Sequence, residues 1–161
     1  METTWLIQIL CVVAFTVTAT VTDLRTRKIP NWLTVSSAIV GLVFHICTKQ
    51  LDGLLFSLGG FATGFGILLV LWLIGGGGGG DVKLMGAIGA WLGPKYTFAV
   101  FILSVFFAIV CMAIVIAVGL IRNFQSEKKP DNLLKKTLPY AIPCGLSTWS
   151  ILLILTLTGK Y

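Results

Sequence analysis

The sequence predicts an all-α fold: a polytopic membrane helix bundle of about six transmembrane helices with a short fourth helix, forming one integral-membrane domain over residues 1–161. Three observations predict it. Hydrophobic residues make up 57% of the chain and charged residues 11%, against about 25% charged in a soluble domain, and the mean hydropathy is +0.97. The apolar residues fall into long runs separated by short polar or glycine-rich segments. The twelve Lys and Arg stand between those runs rather than along one amphipathic face, so topology accounts for the net charge of +6 better than a nucleic-acid surface does.

The first helix is expected over residues 5–22, ending at the first membrane-embedded acid, Asp23. No basic segment precedes this run, so a cleaved signal peptide is not expected and the helix should stay in place. A basic loop follows with Arg25, Arg27 and Lys28, then Ile29-Pro30-Asn31, a turn in which proline restricts Ile29 to extended geometry and asparagine can bond its own backbone. Trp32 is placed at the membrane interface. The second helix is expected over residues 33–47, then a brief loop over 48–53 in which Asp52 is a solvated charge, then a third span over 54–74. That span holds Gly60-Phe61-Ala62-Thr63-Gly64, a G-x-x-x-G sequence suited to close helix contact.

Six consecutive glycines, Gly75 to Gly80, then end at Asp81. Such a run disfavours helix and leaves bare backbone beside a carboxylate placed at or near membrane depth, where carboxylates are costly and usually functional. The alternative is a flexible connector in which Asp81 is the N-cap of the next helix. The short fourth helix, residues 82–92, would be only about 16 Å long before Gly93-Pro94 stops it, so it either re-enters or crosses with its start inside the glycine run. Charge asymmetry favours crossing. With six spans, nine basic residues (Arg25, Arg27, Lys28, Lys83, Arg122, Lys128, Lys129, Lys135 and Lys136) share one side and three (Lys49, Lys95 and Lys160) the other, whereas a re-entrant segment divides them evenly. Spans over 97–121 and 140–158, joined by a basic loop over 122–138, complete the bundle with both termini outside.

This topology brings Asp23 and Asp81 to the same, cytoplasmic side. Small residues at Gly86, Gly89, Ala90 and Gly93 leave one side of the fourth helix open to a close neighbour. Two aspartates held together cannot both ionise cheaply: one keeps a proton while the other, as the anion, activates a water, which is the chemistry that hydrolyses amides. Which of the two holds the proton stays open, and the titration belongs to the pair. No metal or other cofactor is expected. The four cysteines, Cys11, Cys47, Cys111 and Cys144, lie far apart in apolar runs without a C-x-x-C pair and read as small packed hydrophobes, and His45 as a packed or hydrogen-bonded side chain.

Three segments together resemble the type IV prepilin peptidase family. Asp23-Leu24-Arg25-Thr26-Arg27-Lys28-Ile29-Pro30-Asn31-Trp32-Leu33 is similar to the family's first-aspartate motif, Gly78-Gly79-Gly80-Asp81-Val82-Lys83-Leu84 to its G-x-G-D-x-K signature, and Leu138-Pro139-Tyr140-Ala141-Ile142-Pro143 to the segment opening its last helix. The resemblance implies a membrane aspartic endopeptidase of a prokaryotic cytoplasmic (inner) membrane, removing the leader from prepilin-like precursors at the cytoplasmic face, with Asp23 and Asp81 catalytic. It further implies that Gly78, Gly79 and Gly80 receive an extended substrate segment, that Lys83 orients or charge-balances the dyad unless it is simply an interfacial anchor, and that Pro30 and Asn31 shape the first loop. The partners it implies are a prepilin-like membrane protein, the lipid bilayer and components of a pilus or secretion system, with no nucleic acid. The chain lacks the paired C-x-x-C motifs and extra domain of longer members, so it resembles the short branch associated with Tad or Flp pili, for which peptidase activity without methylation is expected. A proton or cation relay through the same carboxylates is the rival expectation, and a pilus scaffold without activity a lesser one. A nucleotide-binding loop is excluded, since the glycine run lacks the G-K-[ST] ending and no strand precedes it.

Overall fold

The computed structural model describes residues 2–75, 78–124 and 140–159. Its described residues form four α-helices in chain order: α1 (Glu2–Thr26), α2 (Asn31–Leu73), α3 (Gly79–Phe124) and α4 (Ala141–Thr158). All four are long and apolar enough to cross a membrane. The all-α membrane bundle is therefore present, but the expected count of about six helices is corrected to four. The expected second and third spans are one helix, α2, and the expected fourth and fifth are one helix, α3.

The physical reason lies in two single-residue breaks. At Gln50 the backbone leaves the helical region (φ 52, ψ −128), and at Gly93 it does so again (φ 74, ψ 174), with helical hydrogen bonding resuming at once on the far side. The loop expected over residues 48–53 is thus absent, and Asp52 is an exposed helical residue. Both helices fold back sharply at these points. The rings of His45 and Phe56 lie 5.0 Å apart between centroids, although eleven residues of straight helix would separate them by about 16 Å. Methyl groups built at Gly64 would meet both Met85 and Thr97, residues on opposite sides of the Gly93 break. A side chain at Gly93 itself would strike the Phe56 ring, and its positive φ is one that glycine alone adopts readily.

The arm of α3 before the break is the centre of the molecule. Every residue from 84 to 93 is buried, including Leu84, Met85, Ile88, Trp91 and Leu92, as befits a helix apolar on all sides. Around it, large apolar side chains on the outer faces, such as Leu10, Ile39, Leu55, Phe106 and Leu153, are exposed, the surface a bilayer would cover. The arm approaches α2 almost backbone to backbone: a methyl at Gly60 would collide with the Gly89 carbonyl oxygen, and one at Gly89 with that of Gly60.

Breaking a helix inside apolar surroundings strands carbonyls, and each must find a donor. Pro94 brings no N–H to the turn it would otherwise close. Ser57 Oγ donates to the Ala90 carbonyl at 2.8 Å, while His45 Nε2 and Gln8 Nε2 donate to that of Trp91. His45 is therefore the hydrogen-bonded side chain expected of it, carrying its proton on Nε2, since a carbonyl can only accept. Of the cysteines, Cys144 is buried as expected and Cys47 is exposed. The basic loop expected over 122–138 begins as the end of α3, and from residue 125 it lies outside the described residues, as do Gly76, Gly77, Leu138 and Pro139.

Candidate active site

Asp23 occupies the last turn of α1 rather than the position after it. The helix closes with Arg27 in a left-handed conformation (φ 50), its N–H bonded to the Asp23 carbonyl at 2.8 Å. The Asp23 side chain points inward and is only 7% exposed, while Arg25, Arg27 and Lys28 are exposed. Its Oδ2 accepts the backbone N–H of Ala141, the first residue of α4, at 3.3 Å. A helix start is a natural seat for a carboxylate, through its unpaired N–H groups and dipole.

Asp81 is the third residue of α3 and not its N-cap. Gly78 takes that place: its carbonyl accepts the N–H groups of Asp81 (3.0 Å) and Val82 (3.4 Å), and its own N–H is donated to Asp81 Oδ2 at 3.0 Å. This is the carboxylate half of a capping box, in which the third residue reaches back to the cap. Asp81 is half-buried and lies within electrostatic reach of Asp23.

The two sequence segments that carry them also meet. Ile29 is buried, and its side chain lies beside Gly80, where a methyl would be 3.7 Å from it. Pro30 opens α2 in extended geometry (φ −63, ψ 135), its carbonyl accepting from Leu33 and Thr34. Asn31, the next residue, accepts a hydrogen bond on Oδ1 from Lys83 Nζ at 2.8 Å. Gly79 begins α3 beside Trp72. The eight residues named in advance thus all fall in one region, linked by contacts between the two segments.

A cleft of about 130 Å³ opens beside Asp81. Its walls include Gly78, Leu68, Val82, Phe101 and Tyr140, and Tyr140 Oη is hydrogen bonded to Ser104 Oγ at 2.8 Å. Three contributors were missed by sequence reasoning: the Ala141 N–H, the Tyr140 phenol and Ser104. Tyr140 stood within a noted segment, but Ser104, in the middle of an apolar run, carried no signal. Among the described residues no three His, Cys, Asp or Glu side chains converge as a metal site would require.

Comparison with known proteins adds one finding. Residues 10–128 match the model of the type IV leader peptidase family. The chain belongs to the type IV leader peptidase family. The matched segment contains both aspartates and the Asn31–Lys83 pair and ends ahead of Tyr140. No curated protein and no solved structure matches the chain. Membership makes the protein a peptidase of leader-processing type, embedded in a membrane by its apolar helices.

Proposed function

We propose that this chain is a single-domain aspartic endopeptidase that cleaves the leader from prepilin-like membrane proteins, with Asp23 and Asp81 as its catalytic pair. The observation that carries the proposal is that the Asp81 carboxylate, at the start of α3 and in the wall of an apolar cleft, lies within electrostatic reach of the buried Asp23 carboxylate at the end of α1. One carboxyl keeps the proton that the pair shares. The other draws a proton from a water, which attacks the peptide carbonyl while the protonated partner donates to the developing oxyanion; a proton then passes to the leaving amine. The start of α3 narrows the role expected for the glycines. Gly78 has its N–H and carbonyl engaged with the turn, so Gly79 and Gly80, whose N–H groups stand at the head of the helix, are the ones left to receive a substrate carbonyl.

The active site faces the cytoplasm of a prokaryotic cell in this proposal, with α2 and α3 each crossing the membrane twice by folding at Gln50 and Gly93. That arrangement keeps nine basic residues on the cytoplasmic side and three outside.

The test is a gel assay of leader removal with the purified protein in liposomes and a prepilin-like substrate. Asp81→Asn and Asp23→Asn suit it because an amide oxygen can still accept from Gly78 and Ala141, leaving both helix starts intact while removing the acid–base chemistry. The expected result is cleavage by the wild type and by Asp52→Asn, and none by either dyad variant. Full processing by Asp23→Asn or Asp81→Asn would refute the mechanism, and altered proton flux in a protein that cleaves nothing would put the relay in its place.

A further inference from the structure

The hydrogen bonds around Tyr140 can be counted atom by atom. Ser104 Oγ is 2.8 Å from the Phe101 carbonyl, and 2.8 Å from Tyr140 Oη. A serine hydroxyl has one proton, and a carbonyl can only accept, so that proton goes to Phe101. Tyr140 must then be the donor to Ser104. A phenol has a single proton too, which leaves the Tyr140 oxygen with acceptor capacity and nothing to donate.

That oxygen belongs to a side chain lining the cleft beside Asp81. Of the side chains in the cleft wall only Asp81 and Tyr140 carry a polar atom, and the main-chain groups of Gly78 are engaged with α3. An extended peptide entering this space brings N–H groups that lose water and need acceptors. The dyad must be kept for the scissile bond. Resting on the peptidase function above, we propose that Tyr140 Oη accepts a backbone N–H of the substrate, on a residue next to the scissile bond, and so fixes the register of the chain against Asp81.

Tyr140 is well held for such a task. It stands immediately before Ala141, whose N–H bonds Asp23, so the start of α4 joins Asp23 by its backbone and the Asp81 cleft by its side chain. Ser104 consumes the phenol proton and fixes the ring, which keeps the oxygen lone pairs available. The residue acts on binding of the peptide and takes no part in the proton transfers.

The test replaces single amides of a prepilin-like peptide by esters, one non-scissile bond at a time on either side of the cleavage point, and measures kcat/KM in liposomes. Wild type should lose about five- to tenfold at one ester position, as for one hydrogen bond. Tyr140→Phe should show that loss already with the all-amide peptide and no further loss with the ester. Ser104→Ala, which leaves the phenol oxygen in place, should remain ester-sensitive at the same position. A merely structural tether predicts otherwise: Tyr140→Phe and Ser104→Ala would fall alike, and every ester would affect all three proteins equally. Either that pattern, or a wild type indifferent to all esters, overturns the proposal while leaving the peptidase standing. A wild type that cannot cleave the all-amide peptide removes the peptidase reading beneath it, and this proposal with it.

Discussion

Lys83 Nζ and Asn31 Oδ1 form the one side-chain hydrogen bond described between the first turns of α2 and α3. Because the pair is exposed, its contribution is about 1 kcal/mol or less despite the charge on lysine. Asn31→Leu and Lys83→Met should therefore each slow leader cleavage by up to about fivefold without affecting insertion. Asn31→Asp, which turns the bond into an ion pair, should keep wild-type rates. Steady-state cleavage by the three variants checks this, and wild-type rates in Lys83→Met would return Lys83 to the role of an interfacial anchor. Both residues were legible in the sequence as members of recognisable segments, but their contact was not, since no spacing rule relates positions on different helices. The same holds for Ala141 and Asp23, whose hydrogen bond joins the two ends of the chain. Asp81 was legible as a helix-start carboxylate, yet its place at the third residue instead of the cap depended on Gly78 closing the turn.

Helix against helix, the decisive contact is between the buried arm of α3 and the second arm of α2, where Gly60 and Gly89 bring two backbones together. A methyl at either site meets a carbonyl oxygen, which no side-chain rotation relieves. Gly60→Ala and Gly89→Ala should each cost about 1–3 kcal/mol, seen as a lower thermal midpoint in detergent, whereas Gly66→Ala, with nothing within 4 Å of its new methyl, should not. Equal midpoints for Gly60→Ala and Gly66→Ala would contradict the close approach. The carbonyl caps make a separate prediction. Ser57→Ala leaves the Ala90 carbonyl buried without its side-chain donor and should lower stability by about 1–3 kcal/mol, more than Ser36→Ala on the exposed face of the same helix. The G-x-x-x-G sequence made a close contact foreseeable. Its partner, and the absence of loops at Gln50 and Gly93, were not, because hydropathy measures the length of an apolar run and a single residue suffices to turn the chain between two runs.

For the whole molecule the deciding quantity is length. Straight, the 43 residues of α2 would extend about 64 Å, roughly twice the hydrocarbon thickness of a bilayer, and α3 would be longer still. Folded at Gln50 and Gly93, each becomes a pair of arms, and the residues at the folds come to lie at the opposite end from Asp23 and Asp81. Lys49 and Lys95 adjoin these folds, so both belong on the side away from the active site, while Lys83 and Arg25 belong with it. In a protein with its four native cysteines replaced by alanine, Lys49→Cys should react with a membrane-impermeant thiol reagent only from outside, and Lys129→Cys only from the cytoplasmic side. Labelling of both from one side would mean that α2 or α3 does not cross twice. The contact between the start of α3 and the loop after α1 keeps Asp23 and Asp81 on one face, so such a result would point to the first arm of α3 re-entering instead of crossing. The labelling experiment and the dyad variants therefore test different things: loss of cleavage in the variants assigns the chemistry to Asp23 and Asp81, and opposite-side labelling of Lys49→Cys and Lys129→Cys assigns the folds at Gln50 and Gly93 to the outer face.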